Sequence, residues 1–345
     1  MRKLATIRRV DKLLPIEKAD RIELAVIDGW TCVVGKGEFK VGDCGVYFEV
    51  DSFLPIEPRY EFLRSRCLKT LRGNKGFRLK TMRMRGVLSQ GLLMPMKHFP
   101  EILRYDAGDD VTELLHVELW LPKAEIHMSG TMKGNFPIFI QKTDQERVQN
   151  LPMLWDAFKE TRFEETEKLD GTSFTCYKFA GKIGVCSRNV ELEINEENLR
   201  DNLYVKYAQD SGILKWLREN EAFDNIAIQG ELVGHGVQGN HYKLSYQRLF
   251  LFDIFDIKKQ KYMSPHRRGY IYSLMKRDGV DISHVPVTQP TIKILQKYGD
   301  MESLLKHADG KSELGDMIRE GFVYKAVEGE LSFKVVSNEF LLGEK

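Results

Sequence analysis

The dipeptide Asp-Gly occurs four times, at 28, 170, 278 and 309. Each copy is a turn signal, so this chain must fold from short elements. In residues 1–130, "IELAVI", Asp28-Gly29 and "WTCVV" spell a hairpin. The glycine-punctuated "GKGEFKVGD" leads into "GVYFEV", and "GVLSQGLLMPM" gives another apolar strand. Several short strands with glycine turns fit a small barrel of the OB type. The stretch "IQKTDQERVQNLPMLWDAF" begins extended and then enters a capped helix. Beyond it, "SFTCYKF", "KIGVCSR", "NIAIQGELV" and "RLFLFDIFDI" read as strands. "SPHRRGYIYSLMKRDG" and "PTIKILQKYGDMESLLKHADG" read as helices, and "EGFVYKA" and "LSFKVVS" as closing strands. The expected class is α+β: an OB-like β-barrel over 1–130, then a domain of antiparallel sheets with flanking helices over 131–345.

Composition narrows the setting. At 42% hydrophobic and 30% charged residues, the 345-residue chain has the profile of a soluble globular protein. No apolar run approaches the ~20 residues that span a bilayer, and no apolar stretch follows the basic start in the manner of a signal peptide. The five cysteines (32, 44, 67, 176, 186) are odd in number and form no C-x-x-C pair. That pattern argues against a disulfide framework and a Cys-rich zinc site. The expectation is an intracellular, cytoplasmic monomer with reduced thiols.

Net charge is only +2, yet basic residues cluster. Between Pro58 and Gly86 stand ten Lys or Arg, among them Arg64, Arg66, Lys69, Arg72, Lys75, Arg78 and Lys80, against one acid, Glu61. Tyr60, Phe62 and Phe77 are interleaved. Such a cluster suits a phosphate backbone, with rings available for stacking. A solvated surface loop is the blander alternative.

The pattern Lys-x-Asp-Gly appears twice, as "KLDG" at Lys168 and "KRDG" at Lys276. Lys276 closes a helical pattern, where a lysine followed by glycine is ordinary. Lys168 instead precedes a strand and is followed by "CSRN" (186–189 with Cys186), "QGELVG" (229–234), "LFLFDI" (249–254), "EGFVYK" (320–325) and "SFKVVS" (332–337). Each sets a polar or charged residue on or beside an apolar strand. Burying such groups is costly unless they line a site.

In that order, these elements resemble the motifs of the covalent nucleotidyltransferase superfamily of RNA ligases, DNA ligases and mRNA capping enzymes, from Gln141 to Lys334. The likeness is greatest to the ATP-dependent RNA ligases with an N-terminal OB domain. "KTDQERVQNLP" resembles a signature of that clade, and "ADRIELAVIDGW", "VVGKGEFKVGD" and "MRGVLSQGLL" resemble an OB domain of the tRNA-binding type. Only 11 residues follow Lys334, which leaves no room for the C-terminal OB domain of DNA ligases and capping enzymes.

The resemblance implies a nucleotidyltransferase (adenylyltransferase) domain over 131–345 that joins RNA 3′-hydroxyl and 5′-phosphate ends, in RNA repair and at nicks in a duplex. Lys168 would carry AMP. Asp170, Glu231 and Glu320 would serve catalysis and hold Mg²⁺ or Mn²⁺ through waters, with Lys334 also catalytic. ATP would be met by Glu167, Arg188, Phe252, Lys325, Lys334, Arg147, Lys142 and Gln141. Phe252 would stack on adenine, with Phe250 and Phe255 as competitors. One departure is visible: many relatives have a Lys-x-Lys pair in the last element, whereas here Ser332 stands two before Lys334 and Val336 two after, so only one lysine is present. A DNA ligase, a GTP-using capping enzyme and a non-catalytic RNA-binding protein remain as alternatives.

Overall fold

The computed structural model describes residues 2–120 and 130–343. The chain divides into two compact units, Met1–Ala124 with Leu341–Lys345, and Glu125–Phe340.

In the first unit, Cys44–Phe48 pairs antiparallel with Ala5–Arg9 on one side and Leu92–Pro95 on the other. A second sheet is the meander Lys12–Pro15, Ile22–Ile27 and Trp30–Gly35. Its expected hairpin turns at Asp28 and Gly29, with φ of 49° and 83°; two positive φ values in a two-residue loop match the twist of the strands they join. Trp30, Cys32 and Val34 alternate inward and pack with Phe39, Tyr47 and Leu93. The expected single strand "GVLSQGLLMPM" is instead two, Val87–Ser89 and Leu92–Pro95. Gly91 breaks it, at φ 79°, where a Cβ would lie 2.2 Å from the Phe48 carbonyl oxygen.

The second unit holds two sheets. The larger runs Met132–Asn135, Val190–Leu192, Lys182–Cys186, Thr172–Phe179, Ile226–Gly234, Gln247–Asp256, Lys261–Tyr262. Phe174, Cys176, Ile228 and Leu251 cover one of its faces with Val205, Ala208, Leu214, Leu217, Ile271 and Met275 from helices Leu203–Asp210, Ile213–Glu219 and Pro265–Arg277. The smaller runs Glu146–Arg147, Ser332–Val336, Gly321–Ala326, Phe163–Lys168, Val287–Ile292, with only the first pair parallel. Its apolar face packs on Ile294, Leu295, Leu304 and Leu305. The helix expected from Pro290 therefore starts later, at Ile294. Pro286 and Pro290 hold their predecessors extended, and an edge strand tolerates the missing N–H. Among the described residues no helix is long and apolar enough to cross a membrane.

Candidate active site

Strand register gathers the charged residues of the smaller sheet. Lys168 ends the strand Phe163–Lys168 and lies opposite Gly321, with Thr166 opposite Val323 and Glu164 opposite Lys325. Across the next pairing, Gly321 faces Val336, Val323 faces Lys334, and Lys325 faces Ser332. Opposed residues share a face, and alternate residues along a strand do too. Glu164, Lys168, Lys325 and Lys334 therefore share one face. Phe163, Phe322, Tyr324, Phe333 and Val335 fill the other. Of the two positions that flank Lys334, Ser332 has Lys325 as its cross-strand neighbour and Val336 has Gly321.

Lys168 Nζ lies 2.6 Å from Glu320 Oε1. Burial works against its charge, but Glu320, Glu231 and Asp170 outweigh it and hold the ammonium above the ordinary lysine range. Glu231 comes from the larger sheet, opposite Ser173 and Phe250. Burial pushes its carboxyl up to about 8; Glu320 and Asp170 add to the rise and Lys168 opposes it. Asp170 is also raised, by burial and then by Glu320. Glu320 Oε2 is buried with no hydrogen-bond partner.

The segment after Lys168 is a turn gripped from outside. Asp170 N donates to Tyr242 Oη at 2.8 Å, and the Gln238 side-chain amide donates to the Gly171 carbonyl. A Cβ on Gly171 would sit 2.5 Å from Leu232 O, so close packing requires glycine here. His241 bonds Ile318 O at 2.8 Å. Lys276 has another situation: it lies in the last turn of its helix, and its Nζ donates to Ile282 O at 3.1 Å.

Lys334 Nζ pairs with Asp144 at 3.2 Å, and the same carboxylate is 3.7 Å from Arg188 Nη2. Burial lowers the Lys334 pKa; Asp144 resists, while Lys168 and Arg147 add to the fall. Arg147 is the parallel register partner of Lys334. Lys142 Nζ donates to Asn189 Oδ1 at 3.1 Å. Gln141 is tied through its carbonyl, which accepts from Gln229 and Tyr262, each at 3.0 Å. Asp144, which links Lys334 to Arg188, was not singled out from the sequence. It lies inside "KTDQERVQNLP", a stretch whose charges carry no periodicity to separate a site residue from a solvated one.

Phe252 occupies a β-bulge: Gln229 pairs Asp253 and Gly230 pairs Leu251, leaving Phe252 between them. Bulges re-aim side chains. Lys325 Nζ is 5.6 Å from the Phe252 ring centre, donates to its carbonyl at 2.6 Å and pairs with Asp253 at 2.8 Å. The competitors are core residues: Phe255 packs with Tyr177, Cys186 and Ala227, and Phe250 with Leu169 and Val233. Glu167 is buried, and both its oxygens are engaged, one by Ser312 Oγ and the other by Glu313 N at 2.7 Å. Glu164 and Glu165 are structural charges: Glu164 pairs Arg268, and Glu165 accepts from Thr288 and Tyr324 beside His307.

No three acid, imidazole or thiol groups among the described residues form a direct metal cage. A divalent ion held through waters fits better: Asp170, Glu231 and Glu320 are hard oxygen donors, mutually repelling, and one of their oxygens has no partner.

The basic segment of the first unit forms the hairpin Leu68–Leu71 and Asn74–Arg78, turning at Arg72 and Gly73. Arg66, Lys69, Arg72, Lys75 and Lys80 are exposed without ion pairs among the described residues. Arg64 pairs Glu61 at 2.6 Å, and Arg78 pairs Asp51 at 2.9 Å and lies over the Trp120 ring. Two of the three interleaved rings are not available for stacking: Tyr60 and Phe77 are each 0% exposed, and only Phe62 is at the surface. Both pack into the core of the first unit, with Phe48 and Phe99.

Comparison with known proteins agrees with this geometry. An OB-fold domain family matches residues 4–96, and the RNA ligase family matches residues 161–336. A search of curated proteins gave no match. Among solved structures, a variant of a Naegleria gruberi RNA ligase with AMP and Mn superposes with TM-score 0.90 at 42% identity, covering 99% of this chain and 98% of that one. A second variant with ATP and Mn gives 0.89 at 42%, covering 98% of each. The same ligase with pyrophosphate gives 0.88 at 42%, covering 99% and 98%. With Lys168 facing Glu320, Glu231 and Asp170 and with Lys334 close to it, and with these matches spanning both units, the chain belongs to the RNA ligase family.

Proposed function

We propose that the protein is an ATP-dependent ligase that seals RNA 3′-hydroxyl to 5′-phosphate ends, at breaks or at nicks in a duplex, as an RNA repair activity. The observation that carries this reading is the Lys168–Glu320 contact of 2.6 Å, with Lys168 and Arg147 close enough to act on the Lys334 charge.

The chemistry then follows from residue types. The Lys168 amine attacks the α-phosphate of ATP; the N–P bond forms and the bond to pyrophosphate breaks. AMP next passes from Lys168 to the 5′-phosphate of RNA, and the amine is released. The RNA 3′-hydroxyl then attacks that phosphate, and AMP leaves. Lys334, Arg188, Arg147, Lys325 and Lys142 supply fixed positive charge for the phosphate oxygens. Phe252 offers a ring for the base, and Gln141 and Glu167 border the nucleotide. Asp170, Glu231 and Glu320 hold a divalent cation through waters. A bound Mg²⁺ or Mn²⁺ supplies the positive charge that disfavours the Lys168 ammonium and neutralises the triphosphate. Glu320 and Glu231 position the Lys168 amine. Arg64, Arg66, Lys69, Arg72, Lys75, Arg78 and Lys80 track the RNA backbone, with Arg64 and Arg78 exchanging their present carboxylate partners to do so.

Sealing assays test the reading. Matched substrates with RNA or DNA on the 3′-hydroxyl side, single-stranded or nicked, are incubated with ATP or GTP. We expect ATP-dependent joining with RNA on that side. Use of GTP in preference, or joining of DNA ends alone, contradicts it.

A further inference from the structure

One buried charge pair behind the site is unused by the chemistry above. Arg268, on the helix Pro265–Arg277, is 1% exposed. Its Nη2 bonds Glu164 Oε2 at 2.5 Å, and its Nε donates to His284 Nε2 at 3.0 Å. The His284 Nδ1 lies 2.7 Å from Val285 O, so its N–H donates there and the ring is neutral; burial and then Arg268 hold its pKa down to about 4. Arg268 Nη1 is buried and has no hydrogen-bond partner among the described residues. The nearest acceptor charge is Asp253 Oδ1, 4.0 Å away. That oxygen is held by Lys325 at 2.8 Å. A buried donor left unpaired is costly, so its persistence beside a carboxylate calls for a use.

We propose that Arg268 is a positioning residue for Lys325, acting through Asp253. Asp253 stands between two cations, Lys325 on the sheet face and Arg268 on the helix. With Arg268 behind it, Asp253 keeps its orientation when Lys325 turns toward a bound nucleotide, since the waiting Nη1–H can donate to it. Without Arg268, Asp253 would keep Lys325 for itself, because a lone buried carboxylate has no other counter-charge. The sequence distance hides this: Glu164, Asp253, Arg268 and Lys325 lie on four elements. The inference rests on the ATP-dependent reading, because it assigns the gain to nucleotide binding.

The test is a double-mutant cycle read by lysyl-AMP formation at varied ATP. Removing Arg268 alone strands Glu164, so the pair is removed together, as Arg268→Met with Glu164→Met; replacing a buried pair by apolar groups is tolerated. We expect KM for ATP to rise on the order of 10-fold with kcat little changed. In a Lys325→Met background the same pair should add nothing. An unchanged KM, or an equal further rise in that background, overturns the proposal. If the paired variant does not fold, Asp253→Asn serves in its place, since it keeps the shape and removes the charge. With the competing carboxylate gone, Lys325 is free to turn, so KM for ATP should stay unchanged or fall, and a rise on the order of 10-fold overturns the proposal. A folded wild type that forms no lysyl-AMP sinks the ligase reading itself; one that does, with an additive cycle, sinks only the role of Arg268.

Discussion

An ammonium ion does not attack phosphorus, yet Lys168 without ligand is held as one by Glu320, Glu231 and Asp170. On the proposed reading, the acids keep the nucleophile at rest until positive charge competes for them. Their own strain has a sign that can be measured. The Glu231 carboxyl, pushed up to about 8 in the folded protein by burial first, ionises near ~4.3 in an unfolded chain. Its proton is bound more tightly when folded, so folding loses stability as pH rises from the unfolded to the folded value. We expect Glu231→Gln to melt higher than wild type, by a gap that widens between pH 5 and 8 to roughly 5 °C, in thermal scans without metal. A gap constant with pH contradicts this. Adding Mn²⁺ should stabilise wild type more at pH 8.5 than at pH 6, since ionised carboxylates bind the ion; equal shifts would mean the acids are not the ligands.

Elements set where these residues stand, and one glycine controls the registration. Gly321 has φ 146°, and a Cβ there would lie 2.1 Å from the Val335 oxygen. It faces Lys168 across the strand pair and follows Glu320. Gly321→Ala should destabilise by about 2–3 kcal/mol in denaturant titrations and slow lysyl-AMP formation. A variant of unchanged stability would show that the backbone has room to move. Much of the site was legible in the sequence because its residues interrupt apolar strands. Lys334 inside "SFKVVS" and Glu231 inside "QGELVG" stand out from their neighbours for that reason. The same rule would mislead for "FEETEK", where Glu164 and Glu165 are buried for structural pairing with Arg268 and His307. Pairing partners on distant elements cannot be read from one strand. Nor could the burial of Tyr60 and Phe77, since a ring beside an arginine is as easily core as surface; only the packing of Tyr60 on Phe48 and Phe99 decides it.

At the scale of the whole molecule, we propose that the two units carry separable jobs. The first, with its hairpin of exposed Lys and Arg, suits a polyanion; the second holds the nucleotide chemistry. Replacing Arg72, Lys75 and Lys80 together by Ala should weaken RNA binding and reduce its salt slope by about three. Lysyl-AMP formation from ATP alone should stay within about twofold of wild type. A fall in lysyl-AMP formation as large as the fall in RNA binding would show that the basic hairpin serves the first chemical step as well. The central claim is that Lys168, of the two Lys-x-Asp-Gly lysines, takes up AMP. Protein incubated with α-labelled ATP and Mn²⁺ is digested, and the labelled peptide is mapped. The label should fall on the peptide containing Lys168, vanish in Lys168→Ala and persist in Lys276→Ala. Label on any other lysine, or label retained in Lys168→Ala, would contradict the account.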